Sequence, residues 1–331
     1  MRTRVIINKD MDVWRCFAIE SYLVKHIEED EVILYLWQSE KNVMLGKHQN
    51  PWRECNVQLL EKEKGKLARR TTGGGAIYCD EGSLLFSFIL PKKYYDVDRQ
   101  LQVILDACLS LGIKAEKSGR NDLTVNGRKF SGNAFYHNSK VSLHHGSLLF
   151  DVNIDDMVKY LTPSYEKVTS KGIQSVRSRV TNLCNINEHI NVVSLQKTLS
   201  DSFVDIYPSE NSIFEEEPEW FDCDEIQATY QTYKSWDWCY GRAAEADLIL
   251  EKRFEWGEIQ MHLKLVKSIV SEVVIYSDAL DPNYIEGMSK VFEGTPFESE
   301  LMSETIKGYG DTPERCRYSE NISVWLKENI A

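Results

Sequence analysis

The sequence predicts a mixed α/β protein in two parts. Residues 1–241 would form a large domain with mixed β-sheets and surrounding helices, and residues 245–331 a small C-terminal α+β domain. Three observations predict this. At 331 residues, the chain is too long for one small core. Strand-like runs and helical stripes are interspersed through the first 240 residues. A composition shift near Arg242–Glu245, after the aromatic cluster Trp236–Tyr240, precedes two β-runs and three helix-like segments.

Taken in order, residues 1–9 read as a β-branched strand, and Asp10 as the N-cap of a helix with Val13, Phe17 and Val24 on one side. Val32–Trp37 and Val43–Gly46 read as adjacent strands, and Pro51 opens a helix to about residue 63. Residues 67–90 hold a glycine-rich turn between strands. Val97, Leu101, Ile104, Leu105 and Cys108 form a helical stripe that Gly112 ends. From Asp122 to Phe150 the pattern is strand, an Asn126-Gly127 turn, strand and strand. A helix carries Leu195, Leu199, Phe203 and Ile206, and the acidic stretch Asn211–Glu219 reads as a surface loop. Glu258–Val266 and Ile269–Tyr276 read as strands joined by a tight connection.

Composition narrows the function classes. Charged residues at 27% and hydrophobic residues at 42% fit an ordinary globular protein. A net charge of -12 disfavours nucleic acid as the main partner, because phosphate binding needs surplus Lys and Arg. The longest apolar run, Ser83–Leu90, suits a buried strand and falls short of a membrane span. The N-terminal residues turn polar before a signal-peptide core can form, so a cytoplasmic protein is expected. The eight cysteines are scattered without C-x-x-C or zinc spacing, which fits reduced thiols.

Four segments carry chemistry. In RRTTGGGAIY (69–78), three consecutive glycines each cost about 0.5–1 kcal/mol of backbone entropy in a regular element. Such a run is either a tight turn or a backbone cradle for an anion, and Arg69 and Arg70 add donors for carboxylate or phosphate. No P-loop or G-x-G-x-x-G spacing is present, so any nucleotide is held another way. In the segment 118–134, glycines punctuate two short strands that bring Asp122 and Lys129 onto neighbouring backbones. Lys129 is either a plain exposed strand lysine or a ligand contact, and Asp122 a turn cap or a metal-bridging carboxylate. His144 and His145 are consecutive strand residues, so they face opposite ways and cannot chelate one metal together. Residues 170–180 are basic with interleaved Ser and Gly, either a solvated loop or a clamp for phosphate.

Together these segments resemble the lipoate–protein ligase A family of the biotin/lipoate ligase superfamily. The resemblance rests on NPWRECN (50–56), RRTTGGGAIY (69–78), GRNDL (119–123), GRKFSGNAF (127–135), HHGSLLF (144–150) and SKGIQSVRSRVTNL (170–183). It continues through WDW (236–238) and RFEWG (253–257), nearly the whole chain. The resemblance implies ATP-dependent activation of lipoate to lipoyl-AMP, followed by transfer to a lysine of an acceptor. Acceptors would be apo lipoyl domains of 2-oxoacid dehydrogenase complexes or the glycine-cleavage carrier protein, and Mg²⁺ would accompany ATP. By motif, Arg70, Thr72, Gly74, Gly75, Ala76, Ile77 and Tyr78 would line the adenylate and lipoate site. Lys129 would be catalytic, touching the lipoyl carbonyl and the α-phosphate, with Ser131, Gly132 and Ala134 beside it. Asn121 and Asp122 would sit near the phosphate, Asp122 toward Mg²⁺, and Ser175, Val176 and Arg177 would clamp the adenylate. Trp37 and His145 would lie along the acyl tunnel.

Two positions depart from the family pattern. Cys79 stands where members commonly carry His, and the proline usual after Gly241 is missing. Cys79 also supports a rival expectation, an octanoyl or lipoyl transferase working through a cysteine thioester. A third reading is a non-catalytic lipoyl-domain binding protein.

Overall fold

A computed structural model describes residues 1–119, 121–161, 179–241 and 246–330. The chain runs β1 (Arg2–Ile7), α1 (Val13–His26), β2 (Glu31–Trp37), β3 (Asn42–Leu45), α2 (Pro51–Glu54), α3 (Val57–Lys62), β4 (Lys66–Arg69), β5 (Ile77–Cys79), β6 (Ser83–Pro91) and α4 (Val97–Ser110). It continues with β7 (Glu116–Ser118), β8 (Asp122–Val125), β9 (Arg128–His137), β10 (Val141–Leu149), α5 (Ile154–Tyr160), α6 (Val192–Ile206), β11 (Ile213–Glu216), α7 (Asp224–Lys234) and α8 (Trp236–Cys239). The C-terminal part contains β12 (Leu248–Phe254), β13 (Gly257–Val266), β14 (Ile269–Ser277), α9 (Pro282–Phe292), α10 (Ser299–Lys307) and α11 (Pro313–Asn329).

Two compact units result, and they interleave along the sequence. The first comprises Met1–Met44, Trp52–Arg69 and Ala76–Cys239; the second comprises Leu45–Pro51, Arg70–Gly75 and Tyr240–Ala331.

The first unit is built on an eight-stranded sheet ordered β11-β1-β2-β6-β10-β9-β8-β7. β1 runs parallel to β11 and β2, and the other pairs are antiparallel. Every residue of β2 and β6 is buried, because apolar layers cover both faces of the central strands. One layer joins Leu34, Phe86 and Phe88 to Leu101 and Ile104 of α4 and Leu199 and Phe203 of α6. The other joins Ile33, Tyr35 and Ile89 to Phe17, Ile19 and Leu23 of α1 and Ile226 of α7. Alternation of side chains along each strand therefore decides which layer a residue enters. A small sheet, β4-β3-β5, completes the unit.

The fold differs from the sequence expectation at several places, each for a local reason. α1 is capped by Asp12, whose carboxylate accepts the Trp14 N–H; the Asp10 carboxylate instead accepts the Asp12 N–H and pairs with Arg15 at 3.0 Å. β2 and β3 do not pair and belong to different sheets. The helix expected from Pro51 is split at Cys55-Asn56, where the Asn56 side chain caps a new start by accepting the Leu59 N–H. The acidic stretch 211–219 contains β11, which pairs with β1 at the sheet edge. Its Ile213 and Phe214 are exposed, so no burial pattern marks it as a strand. β7 is likewise exposed along its length.

In the second unit β12, β13 and β14 form an antiparallel meander. Lys267 and Ser268, both at positive φ, make the tight turn between β13 and β14. The three helices and the sheet enclose a core around Met261, Phe292, Met302 and Ile322. Segment 45–51 joins this unit through the Ser277 N–H, which donates to the His48 carbonyl at 3.0 Å, and through His48 Nε2, 2.8 Å from the Pro282 carbonyl. No helix among the described residues is long and apolar enough to cross a membrane.

Candidate functional site

The first unit brings Lys129 and Asp122 together through one hairpin. The Asn126-Gly127 turn, both residues at positive φ, joins β8 to β9 in the manner of a two-residue hairpin loop. The pairing shifts register between Leu123 and Thr124, so Asp122 sits opposite Gly132 and Lys129 opposite Thr124. Lys129 Nζ then folds back to Asp122 Oδ1, 2.7 Å away, with both side chains a little over one-third exposed. A Cβ at Gly132 would lie 2.9 Å from that Nζ, so glycine here leaves the ammonium its path. An exposed ion pair of this kind adds little stability. Its chemistry is a cation and a carboxylate held side by side within reach of solvent.

Neighbouring residues close this edge. Asn121 and Asn133 bond reciprocally: Asn121 Nδ2 donates to the Asn133 carbonyl at 2.6 Å, and Asn133 Nδ2 to the Asn121 carbonyl at 3.0 Å. The Ser131 hydroxyl is buried with no partner among the described residues, and Ala134 is buried opposite His145. Ser175, Val176 and Arg177 lie outside the described residues. Just after these, Val180 bridges Lys129, and the Thr181 N–H donates to the Lys129 carbonyl at 2.9 Å.

The consecutive histidines enter opposite layers, as the pleat requires. Both are buried. His145 Nδ1 lies 2.9 Å from Oε1 of Glu20 on α1, which also accepts from the Ser87 hydroxyl. The sequence does hold a signal for Glu20, a carboxylate set between Ile19 and Leu23 on the buried side of α1. Such a charge persists only with partners. Trp37 is buried in the same layer, edge-on to Phe17 with ring centres 5.4 Å apart. Its indole N–H has no partner among the described residues.

On β5, Ile77 pairs with Met44 and Tyr78 with Val43. Tyr78 is buried and stacks on Tyr160 with centres 5.8 Å apart, and burial pushes its phenol well above the usual range. Cys79 is fully buried in the α1-side layer. A fully buried thiol lacks the solvent access of a reactive cysteine. Arg69 donates to the carbonyls of Trp238 and Cys239 at 2.9 and 2.8 Å.

In the second unit, the buried guanidinium of Arg70 braces the glycine loop. It donates to Thr72 Oγ1 at 3.0 Å and to the carbonyls of Gly73 and Gly75, each at 2.8 Å. The Gly74 N–H, at a φ of 89°, donates to the Ala279 carbonyl at 3.1 Å. A Cβ at Gly73 would collide with that same carbonyl oxygen. Close backbone approach therefore explains at least part of the triplet. The expected donors for an anion thus act in this structure as the frame of the loop.

The whole chain can be compared with known proteins. Residues 12–204 match the lipoyl protein ligase A/B catalytic domain family, and residues 243–315 match the bacterial lipoate protein ligase C-terminus. The chain is similar to a lipoate-protein ligase A of Psychrobacter cryohalolentis, 34% identical over 333 residues that cover 98% of each protein. Its fold is similar to that of P. falciparum LipL1 in complex with lipoate, at a TM-score of 0.87 and 26% identity over 99% of this chain and 100% of that one. It also shares a fold with a lipoate-protein ligase A bound with ATP, at a TM-score of 0.62 and 19% identity, covering 73% of this chain and 99% of that one. On the two family matches and the full-length relative, the chain belongs to the lipoate–protein ligase A family of enzymes.

Proposed function

We propose that this ligase activates lipoate with ATP as lipoyl-AMP and passes the lipoyl group to a lysine of an acceptor domain. The observation that carries the reading is the Lys129–Asp122 pair at 2.7 Å, with Gly132 leaving the ammonium its path.

A free carboxylate is a poor electrophile. In the proposed first step, a lipoate carboxylate oxygen attacks the α-phosphorus of ATP, and pyrophosphate leaves. Two anions must approach one another, and the Lys129 ammonium offsets their repulsion. In the second step the acceptor amine attacks the acyl carbon, loses a proton, and AMP leaves. Lys129 again stabilises charge, here on the acyl oxygen.

Asp122 is the carboxylate available for Mg²⁺ at this hairpin. A single, partly exposed carboxylate fits that ion, which keeps several waters and takes its other ligands from substrate phosphates. When bound, Mg²⁺ would supply further charge compensation at the phosphates. The backbone of residues 73–75 is assigned an anion-binding role, with Arg70 and Thr72 fixing its shape.

The lipoyl domains of 2-oxoacid dehydrogenase complexes and the glycine-cleavage carrier protein are the proposed acceptors. Incubation with ATP, Mg²⁺, lipoate and each purified apo-acceptor, read by intact mass, tests this. A lipoyl mass increase that requires ATP is expected. An increase that occurs without ATP, from a lipoylated or octanoylated donor protein, would replace ligation with acyl transfer.

A further inference from the structure

A buried polar chain crosses the sheet from α4 to the hairpin, and no step above uses it. It begins at Gln100 on the inner face of α4, whose Oε1 lies 2.8 Å from His144 Nδ1. His144 Nε2 lies 2.8 Å from Asn133 Oδ1, and Asn133 in turn holds Asn121 through both side-chain amides and its own backbone N–H. Asn121 directly precedes Asp122. Gln100 and His144 are fully buried, and Asn133 nearly so. Gly146, opposite Asn133 on β10, has no side chain; a Cβ there would lie 3.0 Å from Asn133 Oδ1 and 2.6 Å from the Gly132 carbonyl.

The protonation pattern of this chain follows from burial. His144 is packed against Phe86, Phe88 and Phe135, and burial lowers its pKa to about 3, so the ring is neutral at ordinary pH. A neutral imidazole has one N–H and cannot donate to both Gln100 Oε1 and Asn133 Oδ1. Gln100 Nε2 is meanwhile buried without a hydrogen bond of good geometry among the described residues, although it lies within reach of the Tyr207 phenol. Turning that amide by 180° resolves both problems: Nε2 donates to His144 Nδ1, and the His144 Nε2–H donates to Asn133. Each donor then meets an acceptor in one direction, from α4 to Asn121.

We propose that His144 is a positioning residue for the ligase reaction, fixing Asn121 through Asn133 and thereby aligning Asp122 and Lys129. The proposal rests on the Lys129 reading above. A fully satisfied buried network rigidifies what it contacts, and small displacements of catalytic groups cost rate. The chain also explains why a polar ring occupies a site lined by three phenylalanines. An apolar side chain of similar size would pack there, but it would leave Asn133 free to turn.

The test is lipoate-dependent pyrophosphate release by the full-length enzyme, normalised to folded protein. His144→Phe is expected to lower kcat about tenfold while leaving KM for lipoate and ATP within about threefold. His144→Gln, which restores a donor toward Asn133, should recover kcat to within about threefold of wild type. In a Lys129→Ala background, His144→Phe should have little further effect, because groups acting through one another are not additive. Should His144→Phe fail to fold, Gln100→Met removes the other end of the chain and should show the same kcat loss in smaller measure. Wild-type kcat in folded His144→Phe, equal losses in the Phe and Gln variants, or full additivity with Lys129→Ala would each overturn the proposal. An unimpaired Lys129→Ala enzyme would instead overturn the underlying assignment of Lys129, whatever His144 does.

Discussion

The β8–β9 hairpin and the glycine loop were both singled out in the sequence, yet they are built in opposite ways. In the hairpin, Asp122 and Lys129 are seven positions apart and meet through a two-residue turn and one register shift. It presents charge, and both side chains are a little over one-third exposed. In the glycine loop, residues 73 and 74 rest on Ala279, some 200 positions away, and the Arg70 guanidinium faces inward to hold the backbone. Its functional content is shape, and the charge is hidden to make that shape. A basic residue beside a glycine run is therefore ambiguous by itself: Lys129 points its cation outward, while Arg70 frames its own loop.

Mutations can separate charge from shape. The largest effect is expected for Lys129→Ala, which should slow pyrophosphate release by about 10²–10³-fold, the usual loss for one donor that stabilises a reacting oxygen. Its thermal midpoint should barely change, because an exposed ion pair is worth about 0–1 kcal/mol. Next is Gly73→Ala, whose Cβ meets the Ala279 carbonyl. It should destabilise the protein by about 1–3 kcal/mol, in line with overpacking, and reduce activity with it. A calorimetric scan run beside the rate assay distinguishes the two: Lys129→Ala loses rate alone, and Gly73→Ala loses both. A Gly73→Ala protein with unchanged melting and rate would break the contrast.

A third expectation concerns pH and the layer beneath the hairpin. Burial depresses the folded pKa of His144 to about 3, from an ordinary value of 6.5. Between those values the unfolded chain binds the extra proton, so stability is fully present above about pH 6.5 and falls as the pH drops toward 3. One such group gives a slope of at most about 1.4 kcal/mol per pH unit. Urea midpoints measured from pH 7 to 4 should therefore fall less steeply in His144→Phe than in wild type. The smallest effect is expected at Cys79. Cys79 is fully buried in an apolar layer next to the glycine loop in sequence, so Cys79→Ala should keep ATP-dependent ligation within about threefold. Complete loss of transfer in a folded Cys79→Ala protein would revive the thioester route.

Much of the fold was legible because its signals are local. Apolar runs and turn signals marked β2, β6 and β10, and helical stripes marked α4, which Gly112 ends, and α6. The strands that escaped notice, β7, β11 and β12, are edge strands with exposed or mixed faces, where backbone pairing proceeds without an apolar pattern. The Asp10 cap failed because two acidic residues compete within three positions, and local sequence does not rank them.

By itself, the sequence determined the family, the hairpin pair and the opposite facing of His144 and His145, since motif order, turn chemistry and pleat are properties of adjacent residues. Only tertiary structure decided which polar groups meet across the sheet. Glu20 finds His145 over 125 positions, and Gln100 finds His144 over 44. It also decided that residues 45–51 and 70–75 fold with the C-terminal segment rather than with their chain neighbours. The physical reason is that a buried donor or acceptor must find a partner at about 3 Å wherever the chain supplies one. Distance along the sequence puts no limit on where that partner comes from.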